Sequence, residues 1–267
     1  MSSVLQIPSV TDEDHFRRPP SHLDLPCSDG KPVDNTLQIG QSILLSDCLL
    51  PLLDRLHPAE DYYVGADVGI YWHHELPEID SVVAPDWYYV PNVTRLRDGI
   101  PRRSYVLFRE IIAPLIVVEV VSGTGREEHD RTPGSGKFWI YENAVRSPYL
   151  LIYSFRADGL EAYELVRNRY RRMPANPAGR VLIPEMEVEF GTWQGRYAGY
   201  STWWLRPWHR DRALVPTAQE RAAEQQQRAD DQKQQADLEK KRADEQQQRA
   251  EKLAQKLREM GVDPDAF

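Results

Sequence analysis

The spacing of apolar residues predicts a long helix near the start of the chain. From residue 35 to 56 apolar side chains recur at intervals of three and four, among them Leu37, Leu44, Leu45 and Leu53. This period places them on one face of a helix that packs against an apolar surface. Pro51 lies inside the pattern and predicts a kink or a break, because proline removes a backbone donor from the helix.

Runs of β-branched and aromatic residues predict a sheet in the segment that follows. Strands are predicted at 62–71, 85–90, 105–108, 115–122, 149–153, 159–166 and 170–173, the last two as a hairpin. Segment 115–122 is almost continuously apolar, which is typical of a strand buried on both faces. Residues 137–144 predict a helix with Phe138, Ile140 and Tyr141 on its apolar side. The order of these elements predicts an α/β or α+β fold, in which a mixed β-sheet is flanked by helices.

The two ends of the chain differ in composition from this body. Residues 1–34 contain five prolines and scattered charges, which predict an irregular arm. Residues 191–209 contain Trp193, Trp203, Trp204 and Trp208, and we interpret them as a flap that closes the core. After Pro216 nearly every residue is alanine, glutamine or charged. We therefore divide the chain into an arm (1–34), a domain (35–210) and a helical tail (211–267).

The helical tail carries a seven-residue repeat. The repeat positions are Ala222, Ala229, Ala236, Ala243, Ala250 and Leu257. A strict heptad implies left-handed supercoiling, but alanines bury little area and the partner core positions are polar until Leu253 and Met260, so a coiled coil would be weak. A solvated single helix, held by charge pairs three and four residues apart, explains the pattern equally well.

Composition and charge limit the class of protein. At 267 residues, with 41% hydrophobic and 28% charged, the chain can form one good core and an appendage. The net charge of −8 argues against a general nucleic-acid coat protein but permits a nuclease, because metal ions can offset acidic surroundings. Cys27 and Cys48 form no C-x-x-C motif, which argues against structural zinc and fits a reducing compartment. With no signal pattern and only short apolar runs, we predict a cytoplasmic protein that does not enter a membrane.

Two carboxylates lie within apolar strands. Asp86 follows Pro85 at the start of one predicted strand, and Glu119 lies in the middle of a neighbouring one. A buried carboxylate is costly unless it is paired or binds a cation. Asp86, Glu119 and the carbonyl of Val120 could together hold Mg²⁺ or Mn²⁺. Lys137, at the start of the next helix, could position or deprotonate a water and stabilise charge on a phosphate.

Each of these side chains also has a purely structural interpretation. Asp86 could cap a turn after its proline, and Glu119 could form an ion pair with Arg109 or Arg131. Lys137 could be an ordinary surface lysine at a helix start. The carboxylates could instead serve a glycosidase, but that interpretation leaves the lysine unused.

The same residues resemble a family of nucleases. Pro85-Asp86, Glu119-Val120-Val121-Ser122 and Lys137 with Tyr141 resemble the motif of the PD-(D/E)XK nuclease superfamily, and more closely the Uma-two family of restriction-endonuclease-like bacterial proteins. The likeness runs from about residue 35 to 206, and further matches are Arg109, Glu110, Pro114, Glu128, Asp130, Arg131, Thr132, the tryptophan-rich flap and the ending at 257–264.

The resemblance implies a restriction-endonuclease-like core with Asp86 and Glu119 as metal ligands and Lys137 as the catalytic lysine. The sequence departs from the superfamily at Val121, where the motif's lysine would stand, so Lys137 would be its substitute on the following helix. Nucleases of this superfamily sometimes direct an amide or acidic side chain of the first helix toward the site, which makes Gln41 an accessory candidate.

Further candidates have weaker support. Asp67 could be an additional metal ligand or a turn residue, and Asp130 could lie behind the ligands or cap the helix that begins near residue 136. A basic cluster between strands could contact phosphates or be a solvated loop; its members are Arg95, Arg97, Arg102 and Arg103.

The sequence thus predicts a divalent-metal-dependent endonuclease that hydrolyses phosphodiester bonds, in DNA. Two sites in a homodimer would suit cleavage of both strands. The competing hypothesis is a non-catalytic binding or assembly module that uses the same fold, with the helical tail recruiting a partner protein.

Overall fold

The computed structural model describes residues 19–30, 36–73, 81–121, 123–210 and 213–260. Contacts between Cα atoms divide the chain into two compact units, residues 1–215 and 216–267. Residues 19–30 form turns without a helix or strand, as the sequence predicts for the arm. The rest of the predicted arm, residues 1–18 and 31–34, lies outside the described residues.

A six-stranded mixed sheet forms the centre of the first unit. Across the sheet its strands are β1 (Tyr62–Gly65), β4 (Trp87–Pro91), β8 (Ile116–Val120), β9 (Tyr149–Tyr153), β10 (Leu160–Val166) and β11 (Arg169–Arg172). Strands β8 and β9 are parallel, and every other neighbouring pair is antiparallel. All five residues of β8 are buried, which confirms that this strand is covered on both faces.

One face of the sheet is covered by α1 (Thr36–Leu56) and by a second, antiparallel sheet. That sheet consists of β12 (Val181–Ile183), β13 (Val188–Tyr197) and β14 (Tyr200–His209), with a short 3-10 helix (Pro184–Met186) before β13. Strands β13 and β14 form the predicted tryptophan-rich flap, and Trp204 is fully buried in the same core as Leu49 and Trp87. Helix α1 continues through Pro51, contrary to a predicted break, and Leu49 and Leu53 are buried on either side of it.

The opposite face of the sheet is covered by a short helix. Helix α3 (Lys137–Trp139) continues directly into a π-helical turn (Ile140–Val145). The predicted helix is confirmed, and its second half is wider than an α-helix. Phe138 and Tyr141 pack there against Val117 and Leu150 of the sheet. The predicted side of this helix is therefore the buried one.

Small elements complete the first unit. A three-stranded sheet contains β2 (Ile70–Tyr71), β3 (Val82–Val83) and β7 (Tyr105–Val106), and β5 (Leu96–Arg97) pairs with β6 (Ile100–Pro101). The strand predicted at 105–108 is half as long, because α2 (Leu107–Glu110) begins directly after it. Among the described residues, one helix, α1, has the length and composition to cross a membrane, but 56% of that stretch is buried inside the unit, as in a core helix.

The second unit contains one helix, α4 (Ala218–Glu259). A capping box begins it, because the Thr217 hydroxyl accepts from the Glu220 amide and the Glu220 carboxylate accepts from the Thr217 amide. Glutamine side chains donate hydrogen bonds to acidic side chains four residues later, for example Gln235 to Glu239 at 3.0 Å. No residue of α4 is buried, and the glutamine contacts described for it join side chains four residues apart in the sequence. Its self-association stays a prediction.

Candidate active site

Pairing of β4 with β8 places the two predicted carboxylates side by side. Trp87 lies opposite Val118 in this antiparallel pair, so Asp86, one residue before β4, lies next to Glu119. The Asp86 carboxylate also accepts a hydrogen bond at 2.7 Å from the amide of Val120. The two side chains belong to strands far apart in sequence, and only the sheet brings them together.

Glu119 is the buried centre of the cluster. It is 1% exposed, and each of its carboxylate oxygens has a partner. Lys137 Nζ lies 3.1 Å from Oε2, and the Tyr141 hydroxyl donates to Oε1. Lys137 and Tyr141 stand four residues apart, so both reach Glu119 from one side of the helix. The ion-pair partner of Glu119 is thus Lys137, and not Arg109 or Arg131 as the structural alternative suggests.

The loop before α3 fixes the position of Lys137. The carbonyl of Asp130 accepts from the amides of Phe138 at 3.0 Å and Trp139 at 3.3 Å, which satisfies two donors at the helix start. A Cβ on Gly136 would lie 2.4 Å from that carbonyl oxygen, so only glycine permits so close an approach. The Asp130 side chain instead accepts from the amide and the hydroxyl of Thr132. Asp130 therefore acts on the site through its backbone.

The charges of the cluster are strongly coupled. Burial and the neighbouring Glu119 carboxylate raise the pKa of Asp86 to about 8, although the Val120 amide and Lys137 oppose this change. Burial by itself lowers the pKa of Lys137, but attraction to Glu119 outweighs it and the net change is upward. Burial and Glu119 raise the pKa of Tyr141 well above its ordinary value. At neutral pH the lysine is therefore positively charged and the tyrosine is neutral.

The donor set fits a hard divalent cation. A cation would reduce the repulsion between the two adjacent carboxylates. Mg²⁺ is commonly bound by one or two carboxylates and keeps several of its waters. The Val120 carbonyl accepts from the Gln38 amide at 3.3 Å, and a carbonyl oxygen has a second lone pair. Within the described ranges, no group of three or more His, Cys, Asp or Glu side chains converges, so water would complete the coordination.

The structure places Gln38, rather than Gln41, beside this cluster. The Gln41 amide nitrogen donates to the Leu205 carbonyl at 2.8 Å, and its oxygen accepts from the Leu205 amide at 2.9 Å. Gln41 thus joins α1 to β14. Gln38 lies one turn earlier and bonds to the Val120 carbonyl. Helical periodicity predicts that both glutamines lie on α1, but it does not specify which strand each one meets.

Asp67 lies in the turn after β1, as one of its two interpretations predicts. Its amide donates to the Pro85 carbonyl at 3.0 Å, which joins this turn to the residue before Asp86. Burial and Asp29 raise the pKa of Asp67, and Lys137 lowers it. Asp67 and Asp86 line one cavity, so Asp67 borders the site.

The basic cluster divides into buried and exposed members. The Arg102 guanidinium makes two parallel bonds to Glu110, at 2.7 and 2.8 Å, and the two side chains are 0% and 4% exposed. Arg102 is therefore unavailable to a phosphate. Arg95 bonds to Asp54 at 2.9 Å, and Arg97 lies 3.9 Å from Asp98. Arg103 is exposed, so a phosphate can reach it.

Sequence reasoning did not assign Tyr141 and Gln38 a role in the site. Tyr141 was assigned to the apolar side of its helix, yet its hydroxyl reaches the Glu119 carboxylate. Its position four residues after Lys137, which the family resemblance already includes, is the sequence signal for this contact. No comparable local signal separates Gln38 from its neighbours on α1.

The structure contains a mixed sheet with helices on its faces, two paired carboxylates, and a lysine on the helix that follows them in the chain. These features define an α/β protein with a nuclease-like core. Residues 30–198 match the Uma2 family, described as "Putative restriction endonuclease", and the chain belongs to this family. No curated protein matches the chain. It is similar to the solved structure of "a putative nuclease belonging to DUF820 from Anabaena variabilis", with 13% identity over 67% of this chain and 91% of that chain and a TM-score of 0.35.

Proposed function

We propose that this protein is a divalent-metal-dependent endonuclease that hydrolyses phosphodiester bonds in DNA. The observation that carries the proposal is the adjacency of Asp86 and Glu119, with Lys137 Nζ 3.1 Å from Glu119. Membership of the Uma2 family, whose description is "Putative restriction endonuclease", supports the same reaction class. A merely structural ion pair would need only one carboxylate for one lysine, and here the second carboxylate carries a raised pKa.

In this proposal Asp86, Glu119 and the Val120 carbonyl hold the cation, which would supply Lewis-acid stabilisation and an activated water. In the metal-free site the attraction to Glu119 raises the pKa of Lys137, so the side chain is protonated there. In this proposal Lys137 acts as a cation and a donor rather than as a base. From its place on Glu119 it can orient a water and meet negative charge on a phosphate oxygen. Tyr141 holds the second Glu119 oxygen and so fixes the carboxylate plane.

The direct test is a cleavage assay on supercoiled, linear and single-stranded DNA with Mg²⁺ or Mn²⁺. We expect wild type to cleave and Lys137→Met to lose about 10²-fold or more in rate, the usual cost of removing one electrostatic stabiliser. Glu119→Gln should lose cleavage and metal binding together. Lys240→Met removes an exposed lysine of α4 and serves as the matched control.

Urea unfolding of each variant separates loss of catalysis from loss of folding. The proposal fails if wild type cleaves none of these substrates and calorimetry detects no divalent-cation binding that depends on Glu119. Equal cleavage by wild type and Lys137→Met would also reject the assigned role of the lysine.

A second candidate function is assembly through the helical tail. Helix α4 exposes Leu238 and Leu253, Met260 is exposed directly after its last residue, and alanines recur along the helix every seven residues. In this proposal a second copy of the chain pairs with α4, and the protein is a cytoplasmic homodimer. The alternative is that a partner protein pairs with α4. Sedimentation over a range of concentrations tests it: Ala236→Glu should shift the chain toward monomer, whereas Gln234→Glu, outside this repeat, should not.

A further inference from the structure

A cavity of about 350 Å³ opens beside the carboxylate cluster. Helix α1 forms one wall with Ile39, Ser42 and Ile43, and the turn after β1 contributes Asp67. Asp86 also lines the cavity, so the space is continuous with the candidate active site. Its volume lies at the small end of ligand pockets, which suits one nucleotide-sized group rather than a duplex.

Two large aliphatic side chains stand exposed at this cavity. Ile39 is 46% exposed and Ile43 is 55% exposed, and they lie one helical turn apart. Both line the cavity rather than the core beneath α1. A flat apolar ligand would cover this surface and remove it from water.

The polar groups of the wall are largely engaged. The Ser42 hydroxyl donates to the Gln38 carbonyl at 3.0 Å, and the Ser46 hydroxyl donates to the Ser42 carbonyl at 3.0 Å. Each hydroxyl has one hydrogen, so neither serine has a donor left for a ligand. The helix wall therefore offers packing and little hydrogen-bond readout.

We propose that this cavity binds one unstacked nucleobase of the substrate, so that the site acts on single-stranded or locally unpaired nucleic acid in preference to intact duplex. The inference rests on the proposed function, because a phosphate at Asp86 carries its own base to the neighbouring cavity. A nucleobase is flat with apolar faces, and packing on its face tolerates any sequence. A paired base must first leave its stack, which costs least for a mismatched or single-stranded base.

The test measures binding of oligonucleotides that contain 2-aminopurine, a fluorescent base whose emission rises when it is unstacked. The full chain is titrated, with Ca²⁺ in place of Mg²⁺ to suppress cleavage, into a single strand, a duplex with the probe in a one-nucleotide bulge, and a fully paired duplex. We expect the two unpaired forms to bind at least about tenfold more tightly than the paired duplex.

Variants locate the probe in the cavity. We expect the double variant Ile39→Ser, Ile43→Ser to weaken binding of the unpaired forms about tenfold, because less apolar area is buried against the base, and to remove the fluorescence change. Leu50→Ser is the matched control, because Leu50 is exposed on the same helix but does not line the cavity. Equal binding of paired and unpaired forms, or an isoleucine variant that behaves like Leu50→Ser, overturns the inference.

Cleavage with Mg²⁺ by the same proteins separates this inference from the proposed function. Cleavage that needs Lys137 but ignores base pairing and both isoleucines leaves the nuclease proposal standing and rejects the nucleobase cavity. Selective binding of the unpaired forms without cleavage supports the nucleobase cavity and rejects the nuclease proposal. Failure to bind any of the three oligonucleotides rejects both.

Discussion

At the scale of single residues, two buried ion pairs of this protein serve different ends. Arg102 and Glu110 meet in a closed, two-bond geometry, and Arg102 also packs over the Tyr63 ring at 4.9 Å. Lys137 and Glu119 instead lie beside a second carboxylate, Asp86, which lines a cavity. The first pair joins neighbouring segments, whereas the second adjoins a carboxylate at the edge of a space that a ligand can enter.

Replacing Arg102 should therefore affect folding rather than binding. We expect Arg102→Ala to lower the free energy of unfolding by about 3–5 kcal/mol, because it leaves the Glu110 carboxylate buried without its partner. Arg103→Ala, at the adjacent exposed position, should change it by less than about 0.5 kcal/mol. Urea unfolding of both variants measures the difference, and similar values for the two would contradict the structural role of Arg102.

The raised pKa of Asp86 predicts a pH dependence of stability in metal-free protein. The folded state holds a proton on Asp86 up to about pH 8, whereas the ordinary pKa of this side chain is 3.8. Between these values the folded state binds more protons than the unfolded state, so the free energy of unfolding falls as pH rises. Asp86→Asn removes this ionisation and should flatten the decline.

Urea unfolding between pH 5 and pH 8 with a chelator measures this decline. Comparison of wild type with Asp86→Asn cancels the contributions of the histidines and of the carboxylates that do not adjoin Asp86. Identical slopes for the two proteins would show that Asp86 ionises normally in the folded state.

At the scale of elements, packing decides the course of α1. Pro51 has no amide hydrogen to donate, which disfavours the interior of a helix, yet the helix continues to Leu56. Leu49 and Leu53 are each 1% exposed and hold the segment on the sheet. The free energy of this burial exceeds the cost of the missing hydrogen bond.

Restoring that hydrogen bond should stabilise the protein. We expect Pro51→Ala to raise the free energy of unfolding by about 1–2 kcal/mol, since a proline in a helix interior costs about 3 kcal/mol and restricts the unfolded chain by up to about 1 kcal/mol. Thermal and urea unfolding measure the change. A decrease would mean that the proline ring itself is packed in the native helix.

The elements of the site follow from the sequence to different degrees. The apolar run around Glu119 predicts β8, and the spacing of Phe138, Ile140 and Tyr141 predicts the helix that begins at Lys137. Local periodicity does not predict the π-helical widening after Trp139. Nor does it predict that Arg102 is buried, because burial depends on Glu110 and Tyr63, which meet it only in the folded chain.

At the scale of the whole molecule, a bound cation should stabilise the first unit. A ligand held by the folded state alone at one hundred times its dissociation constant adds about 2.7 kcal/mol to the free energy of unfolding. For a unit of this size we expect Mg²⁺ to raise the melting temperature by roughly 5–10 °C. Asp86→Asn and Glu119→Gln should each reduce this shift.

The control for that shift is Asp158→Asn, which removes an exposed carboxylate from the loop between β9 and β10. It should retain the full response to Mg²⁺, as wild type does. An equal shift in all four proteins would assign the effect to general surface charge, and no shift in wild type would reject the cation site.

The sequence by itself determined the six strands of the central sheet, the helix that begins at Lys137, the charged tail and the family, because these depend on local periodicity and on short motifs. Only the tertiary structure decided that β4 lies beside β8, so that Asp86 meets Val120 and Glu119. It also decided that Gln38 rather than Gln41 reaches the site, and that a cavity adjoins Asp86. Strand pairing and helix packing join residues far apart in the chain, and their free energy comes from burial that no local pattern specifies.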